Sequence, residues 1–308
     1  LWTKLPGSKS AGRVQSVALK LITEREHEIE LFDPQEFWTL TIKFSDNKKN
    51  QILASIYQLN NSKIEKFSFN NKIEIDKAKK DIESKKFIIS DISSKIVSRN
   101  PSGPFTTSTL QQVSSGRLGF GASRTMQIAQ RLYQGIEIDG ETIGLITYMR
   151  TDGTNLSSDA IDSFRLYIKD KFGNDYLPRT PLNYTGKKAK NAQEAHEAIR
   201  PTDIMRTPEI VKKYLSTDQL KLYDLIWSRA LSSQMESAKF DRNTITLTSE
   251  NNETICKTSG SVIKFDGFLK VMRDNKKDDG EQILPNMSKG HVNLENIIDE
   301  QHFTQPPP

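Results

Sequence analysis

Gly144-Leu145-Ile146-Thr147-Tyr148-Met149-Arg150-Thr151-Asp152-Gly153-Thr154-Asn155-Leu156-Ser157 is the stretch on which the reading of this chain turns. An apolar, strand-like run ends in Tyr-x-Arg-x-Asp and breaks at Gly153, just ahead of a helix that Ser157 is suited to cap. A tyrosine hydroxyl is a weak nucleophile at its free pKa of about 10. A guanidinium two residues away can hold a phosphodiester in a fork and favour negative charge developing at phosphorus. Asp152 is placed to orient that guanidinium. The same spacing also fits a buried tyrosine beside an Arg150–Asp152 ion pair that closes a turn. Spacing alone leaves both readings open.

Around this stretch the chain reads as mainly helical between Asn100-Pro101-Ser102-Gly103-Pro104 and about Gln234. Thr107–Leu118 and Ser123–Tyr133 form an amphipathic pair split by Gly119-Phe120-Gly121. Ser157–Phe172, Asn191–Ile199 and Thr217–Met235 follow as helices, with Ser157 and Thr217 as N-caps. Gly116, inside the first of these, weakens it by about 1 kcal/mol against alanine. On either side the period changes to two. Before the helical block, Trp38–Phe44, Ile52–Tyr57 and Phe87–Val97 read as strands, with a short helix over Asp76–Ser84. After it, Asn243–Thr248, Thr254–Thr258, Val262–Phe265 and Val292–Leu294 alternate again. Ser10–Phe32 is a helix with a charged end, stopped by Asp33-Pro34.

Two β-rich blocks flanking a helical one imply an α+β multidomain chain, in which a helical domain is inserted into a β-rich one. The boundaries read as 1–34, 35–100, 101–235, 236–298 and 299–308.

The 308 residues are enough for two or three cores. Mean hydropathy is −0.59, and no apolar run approaches the length of a membrane span. Lys and Arg number 44 against 39 Asp and Glu, for a net charge of +5, which permits an anionic partner without requiring one. The lone Cys256 excludes a disulfide framework and a thiolate zinc site, and four scattered histidines argue against a His-rich metal site. The start at Leu1 and the end at Pro306-Pro307-Pro308 read as cuts in something longer.

The Tyr148 stretch closely resembles the active-site motif of type IA DNA topoisomerases, and Met149 is similar to the bacterial topoisomerase I branch, the topoisomerase III branch usually carrying proline there. Further stretches resemble the same family in the same order. Ser10-Ala11-Gly12-Arg13-Val14-Gln15-Ser16-Val17-Ala18 looks like its single-strand-binding helix. Pro104–Gln112, Arg117–Phe120, Thr125–Tyr133 and Gln193-Glu194-Ala195-His196-Glu197-Ala198-Ile199-Arg200-Pro201 look like its helical gate domain. Phe265–Phe268 and Gln301–Thr304 resemble its returning β domain.

The resemblance implies a β-rich arch over 35–100 and 236–298, an inserted gate domain over 101–235, and ends, 1–34 and 299–308, belonging to a DNA-binding domain. It implies ATP-independent relaxation of negatively supercoiled DNA by a bacterial, cytoplasmic, nucleoid-associated monomer. Tyr148 is the implied nucleophile and Arg150 its catalytic partner, with Asp152 and His196 in support. DNA contacts are implied for Ser10, Ala11, Gly12, Arg13, Val14, Gln15, Arg150, His196 and Arg200. From the residues alone, Ser10–Gln15 reads as an ordinary helix start with a solvated Arg13 and His196 as a packed or surface residue, while Arg200 can equally be structural. Mg²⁺ is implied for the parent protein, held by an acidic N-terminal domain that has no counterpart in this sequence, so no metal ligand is expected in the chain. Gly153 stands where the family usually has serine. The alternatives are a DNA-binding scaffold without chemistry and a topoisomerase III-like decatenase.

Overall fold

In the computed structural model the described residues are 13–184, 197–272 and 283–308, the Arg13 side chain excepted. In chain order the elements are α1 (Arg13–Glu30), β1 (Glu36–Ser45), β2 (Gln51–Leu59), β3 (Ser62–Lys63), α2 (Lys72–Glu83) and β4 (Phe87–Arg99). Then come α3 (Thr107–Leu118), α4 (Ala122–Gln134), β5 (Ile136–Ile138), β6 (Glu141–Ile143), α5 (Ser158–Phe172), α6 (Pro208–Val211) and α7 (Thr217–Ser232). The chain ends with β7 (Ala238–Ser249), β8 (Ile255–Phe265) and β9 (Gly290–Phe303). Two compact units result, one of Leu1–Ser93, Asn243–Ser259 and Leu284–Pro308, the other of Ser94–Arg242 and Gly260–Ile283.

The first unit is built on a seven-stranded sheet in the order β1-β9-β4-β7-β8-β2-β3, and β1 also pairs with β2, so six of the strands form a closed ring of pairings. The registers of β1 with β2 and β9, of β2 with β3 and β8, and of β4 with β9 are all antiparallel. Alternation along β1 sends Leu40, Ile42 and Phe44 into the core. Helix α2 closes over them with Ile75, Ala78 and Ile82, a three- and four-residue spacing that makes one apolar stripe. That helix starts four residues before Asp76 because Asn71 caps it, its side chain accepting from the Glu74 N–H. Cys256 lies in this core, where burial pushes its thiol up to about 12.

Lys72 and Lys79 of α2 both donate to Asp299 of β9 at 2.6 Å, and these bonds hold its carboxyl down to about 2. A carboxyl held lower in the folded chain stabilises it above the unfolded value of about 3.9 and loses that contribution as pH falls toward 2. Urea midpoints of the parent and of Asp299→Asn are therefore expected to differ at pH 6 and to converge as pH falls from about 4 to about 2. A constant gap across that window would refute the coupling.

The second unit packs α3, α4, α5 and α7 around Leu110, Ile128, Leu132, Phe164, Tyr223 and Ile226. Several sequence expectations change here. Helix α7 is capped by Ser216 rather than Thr217, through a capping box with Gln219. The helix expected over Asn191–Ile199 is not formed at its described end: Glu197, Ile199 and Pro201 make isolated β-bridges. Gly260–Ile283, expected with the returning β block, belongs to the helical unit because Phe268, Leu269 and Met272 bury themselves in its core. The expected strands Thr254–Thr258 and Val262–Phe265 are one, β8, and Val292–Leu294 is part of the 14-residue β9. The β5–β6 hairpin was not anticipated, although Asp139-Gly140 with φ of 50° and 92° is the turn that such a short hairpin demands.

Candidate active site

Tyr148 sits in a loop that the rest of the second unit pins on two sides. On the first side, residues 197–202 run alongside it in extended form. Ile146 bridges Pro201 and Asn155 bridges Glu197. The Thr147 N–H donates to the Arg200 carbonyl at 2.9 Å. The Thr147 hydroxyl donates to the Ala198 carbonyl at 2.7 Å and accepts from the Arg200 N–H at 3.0 Å. Leu145, Ile146 and Met149 are buried, and they anchor the loop as the apolar run of the sequence suggests. Tyr148 turns the other way, 47% exposed, with its ring edge-on to Tyr133 of α4 at 5.4 Å between centroids.

On the second side stands the first turn of α3. Thr106 caps that helix, its hydroxyl accepting from the Thr109 N–H while the Thr109 hydroxyl accepts from the Thr106 N–H. Thr107 reaches across to the tyrosine loop. Its Oγ1 lies 2.7 Å from the Met149 carbonyl oxygen and 3.0 Å from that of Thr151, and accepts from the Thr151 N–H at 2.8 Å. Its own N–H donates to the Thr151 carbonyl at 2.9 Å. One threonine thus grips the backbone on both sides of Arg150.

Arg150 and Asp152 are both exposed, and among the described residues neither makes a hydrogen bond or ion pair. The ion pair that would close a turn around a buried tyrosine is therefore not formed, and the tyrosine is not buried. Arg150 lines two clefts. One, of about 550 Å³, is walled by Thr106, Thr107, Ser108, Thr151 and Asp152. The other, of about 560 Å³, is walled by residues of α4. Gly153 donates its N–H to the Thr151 hydroxyl and does not have positive φ, so its backbone conformation is open to any residue.

Arg200 is engaged within the protein. Its guanidinium donates to both carboxylate oxygens of Glu197, at 2.6 and 3.1 Å, and to the Pro201 carbonyl at 2.8 Å. Glu197 also accepts from the Ser157 N–H at 2.9 Å. Burial pulls the Glu197 carboxyl upward, but the bonds from Arg200 and Ser157 outweigh it and hold the carboxyl below its ordinary value. The pair ties residues 197–200 to the start of α5, which is a positioning task. Glu197 and Thr107 lie inside stretches the sequence marks, yet nothing in their spacing sets them apart from their neighbours.

Ser10, Ala11, Gly12 and His196 lie outside the described residues, as does the Arg13 side chain. Val14 and Gln15 are exposed on α1 and belong to the other unit. Trp227 is buried and donates to the Ile204 carbonyl at 3.1 Å. Among the described residues, no three His, Cys, Asp or Glu side chains converge on a point where a metal could sit.

A family model described as DNA topoisomerase matches residues 1–308. The DNA topoisomerase 1 of Rickettsia bellii is 48% identical over 312 residues, covering 100% of this chain and 39% of that protein. The DNA topoisomerase 1 of Zymomonas mobilis is 45% identical over 319 residues, covering 100% of this chain and 25% of its own length. Among solved structures, full-length topoisomerase I from Thermotoga maritima matches 98% of this chain and 46% of its own, at 34% identity and a TM-score of 0.78. The chain thus spans less than half the length of each of these relatives.

Proposed function

Because this chain belongs to the bacterial DNA topoisomerase I family, we propose that Tyr148 is the nucleophile of a transient single-strand DNA break. The observation that carries the reading is a half-exposed tyrosine on a loop pinned from both sides, with a guanidinium two residues on that has no partner among the described residues. In the proposed step, Tyr148 Oη bonds to phosphorus and the bond from phosphorus to the 3′ oxygen breaks. The phenol gives up its proton, the departing oxygen takes one, and a 5′-phosphotyrosine remains. Arg150 holds the phosphate and balances charge growing on its oxygens. A second strand passes through the break, and attack by the 3′ hydroxyl on the phosphotyrosine restores the chain. The phosphotyrosine stores the energy of the broken bond, so no ATP is required. Negatively supercoiled DNA, which exposes single strands, is the proposed substrate of a monomer in the bacterial cytoplasm. Among the described residues no helix is long and apolar enough to cross a membrane.

Supporting roles for Ser10 to Gln15 and His196 rest on the family motifs. Asp152 is supported by its place in the cleft that Arg150 lines, and Arg200 acts by holding Glu197 rather than through a free guanidinium. The Mg²⁺ implied for the parent does not fit the described residues, since no set of acidic ligands gathers near Tyr148.

The test is intact mass and peptide mapping after mixing the chain with a single-stranded oligonucleotide and Mg²⁺, with and without a separately expressed metal-binding domain of the family. The expected result is an adduct on Tyr148 when that domain is present, and no plasmid relaxation by the 308-residue chain alone. A bound oligonucleotide with no adduct under either condition would leave only a scaffold.

Thr107 gives a second expected outcome. Thr107→Val keeps the shape but removes the grip on the carbonyls flanking Arg150. Misplacement of a reacting group by about 1 Å lowers rates by up to about 100-fold. Adduct formation is expected to slow by roughly 10- to 100-fold, oligonucleotide affinity to change by less than about 3-fold, and Thr107→Ser to restore the rate. An equal loss of rate in both variants would argue against a positioning hydroxyl.

A further inference from the structure

Helix α4 buries Thr125, Ile128, Ala129 and Leu132 and turns its other face outward. That outward face is polar. Gln127, Gln130, Arg131 and Gln134 line the cleft of about 560 Å³ that Arg150 also lines. Among the described residues none of these side chains makes a hydrogen bond or ion pair. Arg124, on the same helix but outside this cleft, pairs with Asp218 at 2.5 Å and stacks on Phe120.

The chemistry of the lining narrows the occupant. Two guanidinium groups and no carboxylate line the cleft, so it favours an anion. Three carboxamides, each donor and acceptor, suit a ligand with mixed hydrogen-bonding edges rather than a bare ion. The cleft on the other side of Arg150 differs, since it carries Asp152 and hydroxyls. The α4 cleft also adjoins the nucleophile, because Tyr133, between Gln130 and Gln134 on this helix, supports the Tyr148 ring.

Resting on the proposed role of Tyr148, we propose that this face of α4 is the track for the single-stranded DNA next to the attacked phosphate. Arg131 and Arg150 take backbone phosphates, and Gln127, Gln130 and Gln134 meet sugars and base edges. Each phosphate contact contributes to the salt dependence of affinity, and carboxamides bonding to base edges add a sequence preference.

The experiment is fluorescence anisotropy of a labelled single-stranded oligonucleotide against the full chain carrying Tyr148→Phe, between 50 and 300 mM salt. Mg²⁺ and the metal-binding domain are left out and affinity alone is read, so the result does not depend on which residue is the nucleophile. Arg131→Gln is expected to lower the slope of log affinity against log salt by about 0.7 and to weaken binding about 5-fold near 0.1 M salt. Arg124→Gln, which removes an equal charge outside the cleft, is expected to leave the slope within error of the parent. A photoreactive benzoylphenylalanine in place of Gln130 is expected to crosslink the oligonucleotide, and the same replacement at Lys221 is not. Melting curves confirm that each variant is folded. Equal slopes for Arg131→Gln and Arg124→Gln, no crosslink from position 130, or no binding by the parent would each overturn the track. An adduct on a residue other than Tyr148 overturns the proposed nucleophile and leaves the crosslink to decide the track.

Discussion

A chain carrying Tyr148→Phe binds a single-stranded oligonucleotide as the parent does and forms no covalent adduct with it under any condition. The substitution removes one oxygen atom. Among the described residues no hydrogen bond reaches that hydroxyl, and the ring rests edge-on against Tyr133, a contact that phenylalanine keeps. The loop beneath it is fixed by Leu145, Ile146 and Met149 and by the grips of Thr107 and Thr147, none of which uses the hydroxyl. Stability is therefore expected to stay within about 0.5 kcal/mol, so loss of the adduct reports chemistry rather than unfolding. The readout is intact mass with the added metal-binding domain present, beside a melting curve. An adduct that survives the change would remove Tyr148 from the reaction.

The largest effect on stability is expected at Gly267. Its φ is +49°, a conformation that disfavours a side chain by about 1 kcal/mol. A Cβ there would stand 2.5 Å from the Glu236 carbonyl oxygen and 2.7 Å from the Ser237 backbone. That carbonyl accepts from the Phe268 N–H at 2.9 Å, so it cannot move away without loosening the turn that buries Phe268 and Leu269. Gly267→Ala is expected to destabilise the helical unit by about 3 kcal/mol and lower its melting temperature by roughly 6 to 12 °C. Gly116→Ala is the control of opposite sign, since Gly116 lies within α3 with nothing inside 4 Å of the added Cβ. Alanine there should stabilise by about 0.5 to 1 kcal/mol. Calorimetry of both variants settles the pair, and a Gly267→Ala melt within a degree of the parent would refute the steric argument.

The sequence carried the class of fold because period is local. Alternation in Trp38–Phe44 and the three- and four-residue spacing in Thr125–Leu132 are set by which face each residue presents, and both became a strand and a helix where expected. Caps were legible to within a residue, as Ser216 in place of Thr217 shows. Readings that needed a distant partner failed. The stretch before Arg200 has helical composition, but its described end is extended because the Ala198 and Ile199 N–H groups donate to the Asn155 and Phe105 carbonyls. Gly260–Ile283 continues a β-rich block in sequence, yet the apolar side chains after Phe265 are drawn into the helical core.

By itself the sequence determined the alternation of β and helical blocks, the family and the tyrosine with its arginine two residues on, all properties written in neighbouring residues. Only the tertiary structure decided that Arg150 has no partner among the described residues while Arg200 is held by Glu197, that Thr107 grips the loop from 42 residues away, and that the open face of α4 lies beside Tyr148. A side chain's chemistry is fixed by its type, but whether it is free to act depends on which distant groups the fold brings within hydrogen-bonding distance.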